Sequence, residues 1–191
     1  MPSLLWDAAF SLPASALLSL ALQRRYRCKS SASIAFFVLG VYLTLLFSAA
    51  WSLPQPAHLT ALTHVRLAEL AEPPDAPHIV LNLLLFLPFS LLTALLFPQH
   101  RRLLTQLLMV LSLSLLIEIV QVLVQRKTSL FDPLLHLSGC CFGCGLAHAL
   151  RRNFPKACAQ LEVRCSQCLL LTYILSALAL FCVLTAFRLN R

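Results

Sequence analysis

Six apolar stretches, each about long enough to cross a lipid bilayer as a helix, occupy most of this 191-residue chain. The predicted spans cover residues 4–22, 31–53, 78–97, 103–124, 133–150 and 168–187. With 59% hydrophobic residues, 12% charged residues and a mean hydropathy of +0.82, the chain is too apolar for a soluble globular protein. The pattern therefore predicts an all-α fold, a polytopic transmembrane helical bundle of about six spans, in a single membrane domain over residues 1–191.

The basic residues of the short connections predict how this bundle is oriented. If the N-terminus lies outside, the cytoplasmic loops hold ten of the fifteen Lys and Arg residues. These ten are Arg24, Arg25, Arg27, Lys29, Arg101, Arg102, Arg151, Arg152, Lys156 and Arg164. The positive-inside rule then places both termini outside, and the net charge of +8 indicates contact with anionic lipid headgroups and no nucleic-acid partner.

Three local features complete the predicted organisation. The opening segment is expected to remain as a membrane helix and not to be a cleavable signal peptide, because its basic residues follow the apolar run. The proline-bounded connection 54–77 is expected to form a short interfacial helix, and Pro88 is expected to kink the third span. The eight cysteines do not form a zinc-finger or secreted disulfide pattern, which favours small packing residues and reduced thiols.

The fourth span carries a polar stripe inside an apolar helix. Ser114, Glu118, Gln121 and Gln125 recur at i, i+4, i+7 and i+11 and therefore share one face. A charged side chain at mid-membrane costs about 3 kcal/mol, so an ionisable residue there is by default a candidate for function. This face is expected to look into the bundle.

The fifth span carries a second stripe with the same spacing. Asp132 is a favoured N-cap residue and Pro133 a favoured first helical residue, so the helix is predicted to start there. Asp132, His136, Gly139 and Gly143 then follow i, i+4, i+7 and i+11. The two glycines would let another helix approach closely.

The third span begins with His78 and Asn82, one turn apart, and all three stripes lie toward the outer ends of their helices. The predicted site, open to the extracytoplasmic interface, contains Asn82, Glu118, Gln121, Arg126, Asp132, His136 and His78. Each residue also has a structural interpretation. Asp132 would cap its helix, the histidines would be hydrogen-bonded interfacial residues, and Glu118 would form an ion pair with Arg126 that holds the bundle together.

Three blocks of this region resemble the VanZ-like family of small bacterial membrane proteins, named for an accessory protein of teicoplanin resistance. Asn82-Leu-Leu-Leu-Phe86-Leu-Pro88-Phe89 resembles the family's Asn-x-x-x-Phe-x-Pro block. Ser114-Leu-Leu-Ile-Glu118-Ile-Val-Gln121 resembles its Ser-x-x-x-Glu-x-x-Gln block, and Arg126 to Gly139 resembles its Arg, Asp, Asn/Gly block. The resemblance covers about residues 78–147. Ser90, Ser129 and His136 replace a glycine, an aspartate and an asparagine that are usual in the family.

The resemblance implies a multi-pass protein of the bacterial inner (plasma) membrane that is linked to the cell envelope. It supplies no reaction, so no catalytic residue and no cofactor is assigned from it. The first hypothesis is an accessory envelope protein whose outer polar pocket binds a lipid phosphate or a lipoglycopeptide. Here Arg126 and Lys127 would meet the anionic group while Asn82 and Gln121 orient it.

Two other functions remain open at this point. An intramembrane enzyme acting on an envelope lipid would use Glu118 or His136 as general base, with Asn82 or Arg126 stabilising developing charge. A variant of this enzyme would recruit a divalent metal through His78, His136, Asp132 and Glu118. A transporter or proton relay ranks last, because the cytoplasmic halves of these helices are nearly apolar and no inverted repeat is visible.

Overall fold

The structure, a computed structural model, describes residues 16–17, 19–21, 24, 30–50, 75–123, 129, 131–163 and 174–175. This part of the chain is helical and contains no strand. Its elements are α1 (Ser30–Ala50), α2 (Ala76–Leu96), a 3-10 helix (Pro98–Arg101), α3 (Leu103–Leu123), α4 (Asp132–Asn153) and α5 (Pro155–Leu161). The all-α prediction is confirmed over these residues.

The second to fifth predicted spans coincide with α1 to α4 to within a few residues at each end. Among the described residues, α2 and α4 are long and apolar enough to cross a membrane, and shorter apolar helices cover Ala32–Leu43 and Leu103–Ile119. The first and sixth predicted spans and the interfacial helix of the 54–77 connection lie almost wholly outside the described residues. The bundle of six spans therefore stays a prediction.

Helices α2 and α4 run parallel and form the most extensive contact between described elements. Two glycines of α4 allow this approach. A Cβ atom at Gly139 would overlap the carbonyl oxygen of Leu83, and one at Gly143 would overlap that of Leu87 and lie 3.0 Å from the Ser90 Cβ. The predicted close-approach role of these glycines is therefore confirmed, and their partner is the backbone of α2. Pro88 lies inside α2, which continues through it as one helix.

Helix α3 runs antiparallel to α2 and α4 and packs mainly on α4, while α1 packs on α2 and α5. The core between them is aromatic and aliphatic. Its largest fully buried side chains are Phe36, Phe86, Phe89, Phe97, Leu39, Leu43, Leu46, Leu96 and Ile117. The rings of Phe36 and Phe97 meet edge to face with centroids 5.6 Å apart, which fixes α1 against the C-terminal end of α2.

This arrangement gives the bundle two chemically different ends. At one end, the N-terminal turns of α2 and α4 lie beside the C-terminal half of α3, and polar side chains fill the space between them. At the other end, the last turns of α2 and α4 meet the 3-10 helix and α5, and basic side chains predominate. The functional candidates that the structure describes fall at the first of these ends.

Candidate functional site

The polar end is organised around the carboxylate of Asp132, in the first turn of α4. The Nδ2 atom of Asn82 donates a hydrogen bond to Asp132 Oδ1 at 2.9 Å, and His78 Nε2 lies 2.7 Å from the same oxygen. Asn82 Nδ2 and His78 Nε2 are themselves 2.8 Å apart. Since a carboxylate only accepts, His78 donates to Asp132 Oδ1 through Nε2, and the same nitrogen then accepts no hydrogen bond from Asn82. These contacts tie the start of α2 to the start of α4.

The interpretation of Asp132 as the helix cap is wrong. Helix α4 begins at Asp132 itself, Phe131 occupies the N-cap position, and no side chain caps the helix. The Asp132 backbone N–H instead donates to the Ser129 carbonyl at 3.1 Å. The carboxylate points to α2 because His78 and Asn82 offer it two donors there, whereas a capping role would leave those two groups without their acceptor.

One turn further along α4, His136 is hydrogen-bonded to a different helix. Its Nδ1 lies 2.7 Å from Ser114 Oγ on α3, and its ring packs on Phe86 of α2 with centroids 4.5 Å apart. His136 and Ser114 are both buried. The other ring nitrogen, Nε2, is also buried and has no hydrogen-bond partner among the described residues. His136 thus joins all three helices of the site.

Helix α3 contributes the second carboxylate of the site. Glu118 interacts electrostatically with both Asp132 and His78, and its Oε1 atom is buried without a hydrogen-bond donor among the described residues. Gln121, one turn toward the polar end, is buried on the same face of α3. The predicted polar face of α3 therefore turns inward, and it places two carboxylates near one imidazole.

We call the seven residues at this end the polar cluster: His78, Asn82, Ser114, Glu118, Gln121, Asp132 and His136. The cluster runs from the surface into the core. The His78 side chain is 43% exposed and the Asp132 side chain 7%, and the His136 residue as a whole is 2% exposed. A polar group of a ligand would reach His78 first, and through it the buried carboxylate of Asp132.

Of the predicted site residues, contacts or electrostatic interactions join five: His78, Asn82, Glu118, Asp132 and His136. Gln121 is buried on the same face of α3 as Glu118. Arg126 lies outside the described residues. Two contributors, Ser114 and Phe86, are absent from the predicted site. Ser114 belongs to the polar stripe of the fourth span, but its partner His136 is set by helix packing and cannot be predicted from spacing. Phe86 lies one turn after Asn82 on the same face of α2. This spacing alone would have predicted that Phe86 faces the site.

The described residues offer little to a metal ion. No three side chains of His, Cys, Asp or Glu in this part of the chain are placed to share one. The Nδ1 atom of His136 is already engaged by Ser114, and Asp132 Oδ1 is already engaged by His78 and Asn82. A mixed nitrogen and oxygen site built on four of these side chains is therefore not supported here.

The sequence was compared with protein families, curated proteins and solved structures. No curated protein and no solved structure matches the chain. A family comparison matches residues 41–151, more than half of the sequence, to the family described as VanZ/LLP1. The matched segment runs from the middle of α1 to the last turn of α4, so it contains every residue of the polar cluster. The chain belongs to the VanZ/LLP1 family.

Proposed function

We propose that this chain is a multi-pass protein of the bacterial plasma membrane whose polar cluster binds the polar headgroup of an envelope lipid or a lipoglycopeptide. The proposal includes the six-span bundle, with the polar cluster at the extracytoplasmic interface. It also includes an accessory role in resistance to glycopeptides of the teicoplanin type. Membership of the VanZ/LLP1 family and the two span-length helices support the membrane placement.

One observation carries the binding proposal, namely the graded exposure of the hydrogen-bonded network formed by His78, Asn82 and Asp132. Asp132 is almost fully buried, yet its Oδ1 atom contacts the half-exposed His78 directly, and Asn82 lies within hydrogen-bond distance of both. A purely structural polar contact between helices has no need of an accessible end. A ligand site does, because its polar groups must be held in place by the fold and still be reached from the membrane surface.

The chemistry of the cluster favours a ligand that donates hydrogen bonds. Two carboxylates, Asp132 and Glu118, are acceptors, and the Glu118 residue is only half-buried. Hydroxyl groups of a sugar or the ammonium group of a phospholipid headgroup would satisfy such acceptors. An anionic part of the same ligand is expected to contact Arg126 and Lys127, as the sequence predicts.

Catalysis and transport are not proposed. The two candidate general bases are Glu118 and His136, and His136 is 2% exposed, hydrogen-bonded to Ser114 and covered by Phe86. A substrate could not reach that imidazole in this arrangement. Nothing in the described part of the chain favours a chemical step over simple binding.

Direct binding tests this proposal. The full chain, purified in nanodiscs, would be titrated with teicoplanin, and separately with a water-soluble short-chain phosphatidylethanolamine, by microscale thermophoresis. Saturable binding of at least one probe is expected, with a Kd raised at least ten-fold in Asp132→Asn. The matched control is Ser138→Ala, because Ser138 is an exposed residue of the same helix and its hydroxyl donates to the Leu134 carbonyl one turn earlier. Binding that is equal in Asp132→Asn and the control, or no binding of either probe, would overturn the proposal.

A further inference from the structure

The end of the bundle opposite the polar cluster carries a concentration of positive charge. We call it the basic end and define it by Arg101, Arg102, Arg151, Arg152 and Lys156, which surround the last turns of α2 and α4 and the start of α3 and α5. In the described residues Glu162 is the one carboxylate with an ion pair at this end. A cluster of this kind repels itself, and the charges of Arg101 and Arg151 are close enough to oppose one another.

Two of the five cations have structural roles. Arg101 forms an ion pair with Glu162, and the Arg151 guanidinium donates to the backbone carbonyls of Ala94 and Leu95 at the end of α2. Arg151 therefore satisfies carbonyl groups that the end of a helix leaves without partners, where a positive charge is also favoured. These two side chains are committed to holding the fold together.

The other three cations, Arg102, Arg152 and Lys156, are exposed, and none has a carboxylate within ion-pair distance in the described part of the chain. Arg152 and Lys156 flank the break between α4 and α5. At that break Phe154 leaves the helical conformation and its ring is 60% exposed. Lys and Arg combined with Trp, Phe or Leu are typical of interfacial helices, so an exposed Phe154 beside two cations fits contact with the headgroup region of a membrane.

The position of these side chains is fixed by packing beneath them. Cys158 of α5 is buried in a small apolar cluster with Ala94 and Leu95 of α2 and Ala147 of α4. This contact seats α5 on the ends of α2 and α4. Lys156 is therefore held close to Arg152 by the fold, and the spacing between their charges does not depend on a free loop.

We propose that the basic end is a binding site for an anionic phospholipid of the adjacent leaflet. Arg152 and Lys156 contact the phosphate, Arg102 adds charge, and the Phe154 ring enters the boundary between headgroups and acyl chains. A guanidinium can hold a phosphate through two parallel hydrogen bonds, while an ammonium acts as a point charge. The inference rests on the proposed membrane placement but not on any ligand of the polar cluster, which lies at the other end of α2 and α4.

Lipid retention by the purified full chain tests the site. Native mass spectrometry would follow wild type titrated with dioleoylphosphatidylglycerol or dioleoylphosphatidylcholine. Wild type is expected to prefer the anionic lipid, and Arg152→Gln/Lys156→Gln is expected to weaken its binding by about five-fold for each charge removed. The control Arg152→Lys/Lys156→Arg keeps both charges and is expected to bind like wild type. Anionic-lipid binding within two-fold of wild type in the neutralised variant would overturn the proposal.

Two further measurements test whether charge drives the lipid binding and whether the site binds a lipid or a free anion. Raising the salt concentration from 50 to 500 mM should weaken binding of the anionic lipid, since exposed charges are screened, and salt-independent binding would also overturn the proposal. Inorganic phosphate is expected not to compete at millimolar concentration, because it lacks the acyl chains that Phe154 contacts. Equal competition by phosphate would reassign the site to a free anion. The neutralised variant should keep the probe binding of the polar cluster, so failure here leaves the proposed function standing.

Discussion

Replacing Gly139 by alanine adds one methyl group where α4 lies against the backbone of α2. The added Cβ would overlap the carbonyl oxygen of Leu83 and lie 3.1 Å from the carbonyl carbon. Both obstacles are backbone atoms, so no side chain can rotate away to make room. The helices must therefore separate.

The magnitude follows from the length of the interface. If the helices separate by roughly 0.5–1 Å, each pair of contacting atoms along the shared surface loses about a quarter to a half of its dispersion energy. Overpacking of a well-packed core costs about 1–3 kcal/mol, and alanine returns up to about 1 kcal/mol of helix propensity over glycine. Because the obstacles are backbone atoms, we take the upper end of that cost, about 3 kcal/mol, less about 1 kcal/mol of propensity, and expect Gly139→Ala to lower the free energy of unfolding by about 2 kcal/mol. It should also loosen the contacts of His78 and Asn82 with Asp132, because these join the same two helices.

Helix α4 provides a matched control for this substitution. Gly145 stands in the same helix, and a Cβ there would meet nothing within 4 Å. Gly145→Ala should therefore leave stability unchanged or raise it by up to about 1 kcal/mol. Unfolding by sodium dodecyl sulfate in mixed micelles, followed by circular dichroism, would compare the two variants with wild type. If Gly139→Ala were as stable as wild type, or if Gly145→Ala were the more destabilised, the parallel packing of α2 on α4 described here would be refuted.

Three further predictions concern single polar groups, and the same unfolding assay measures each of them. Ser114→Ala leaves His136 Nδ1 buried without its partner and should cost about 1–3 kcal/mol. Ser112→Ala, two residues away on the exposed face of α3, should change stability by less than about 0.5 kcal/mol, and equal effects would contradict the proposed contact. Gln106→Leu removes the hydrogen bonds that Gln106 Nε2 donates to Thr93 Oγ1 and to the His100 carbonyl, both 2.9 Å long, and should cost about 1 kcal/mol. Burial lowers the pKa of His100 below its ordinary value of 6.5, so the unfolded chain takes up a proton that the folded chain does not. Stability should therefore fall as the pH drops below about 6.5, and His100→Gln should reduce that fall; an unchanged pH profile would contradict it.

The sequence was most informative about which face of each helix is buried. The periodicity of Asp132, His136, Gly139 and Gly143 predicted one inward face of α4, and all four are buried. The same reasoning placed Ser114 and Gln121 on the inward face of α3, where they are also buried. A strong apolar background makes such a pattern easy to read, because each polar residue in it must find an interior partner.

Partners were much harder to predict than faces. The spacing of Gly139 and Gly143 predicted a close neighbour, but the choice of α2 depends on the order in which the helices pack. Asp132 was a good N-cap candidate from local sequence, yet its carboxylate bonds to side chains 50 and 54 positions earlier in the chain. Local propensity cannot include a partner that only the tertiary fold supplies, and here the two donors on α2 outweigh the local cap.

The central claim is that the polar cluster is the working site of the protein, and drug sensitivity tests it in cells. Teicoplanin susceptibility would be compared in bacteria expressing wild type, Glu118→Gln, Asp132→Asn or the control Ser138→Ala at equal membrane abundance, alongside an empty vector. We predict that wild type and Ser138→Ala raise the inhibitory concentration equally above the empty vector, and that Glu118→Gln and Asp132→Asn lose this effect. Equal protection by wild type and all three variants would show that the polar cluster serves only to stabilise the fold, and would contradict the claim.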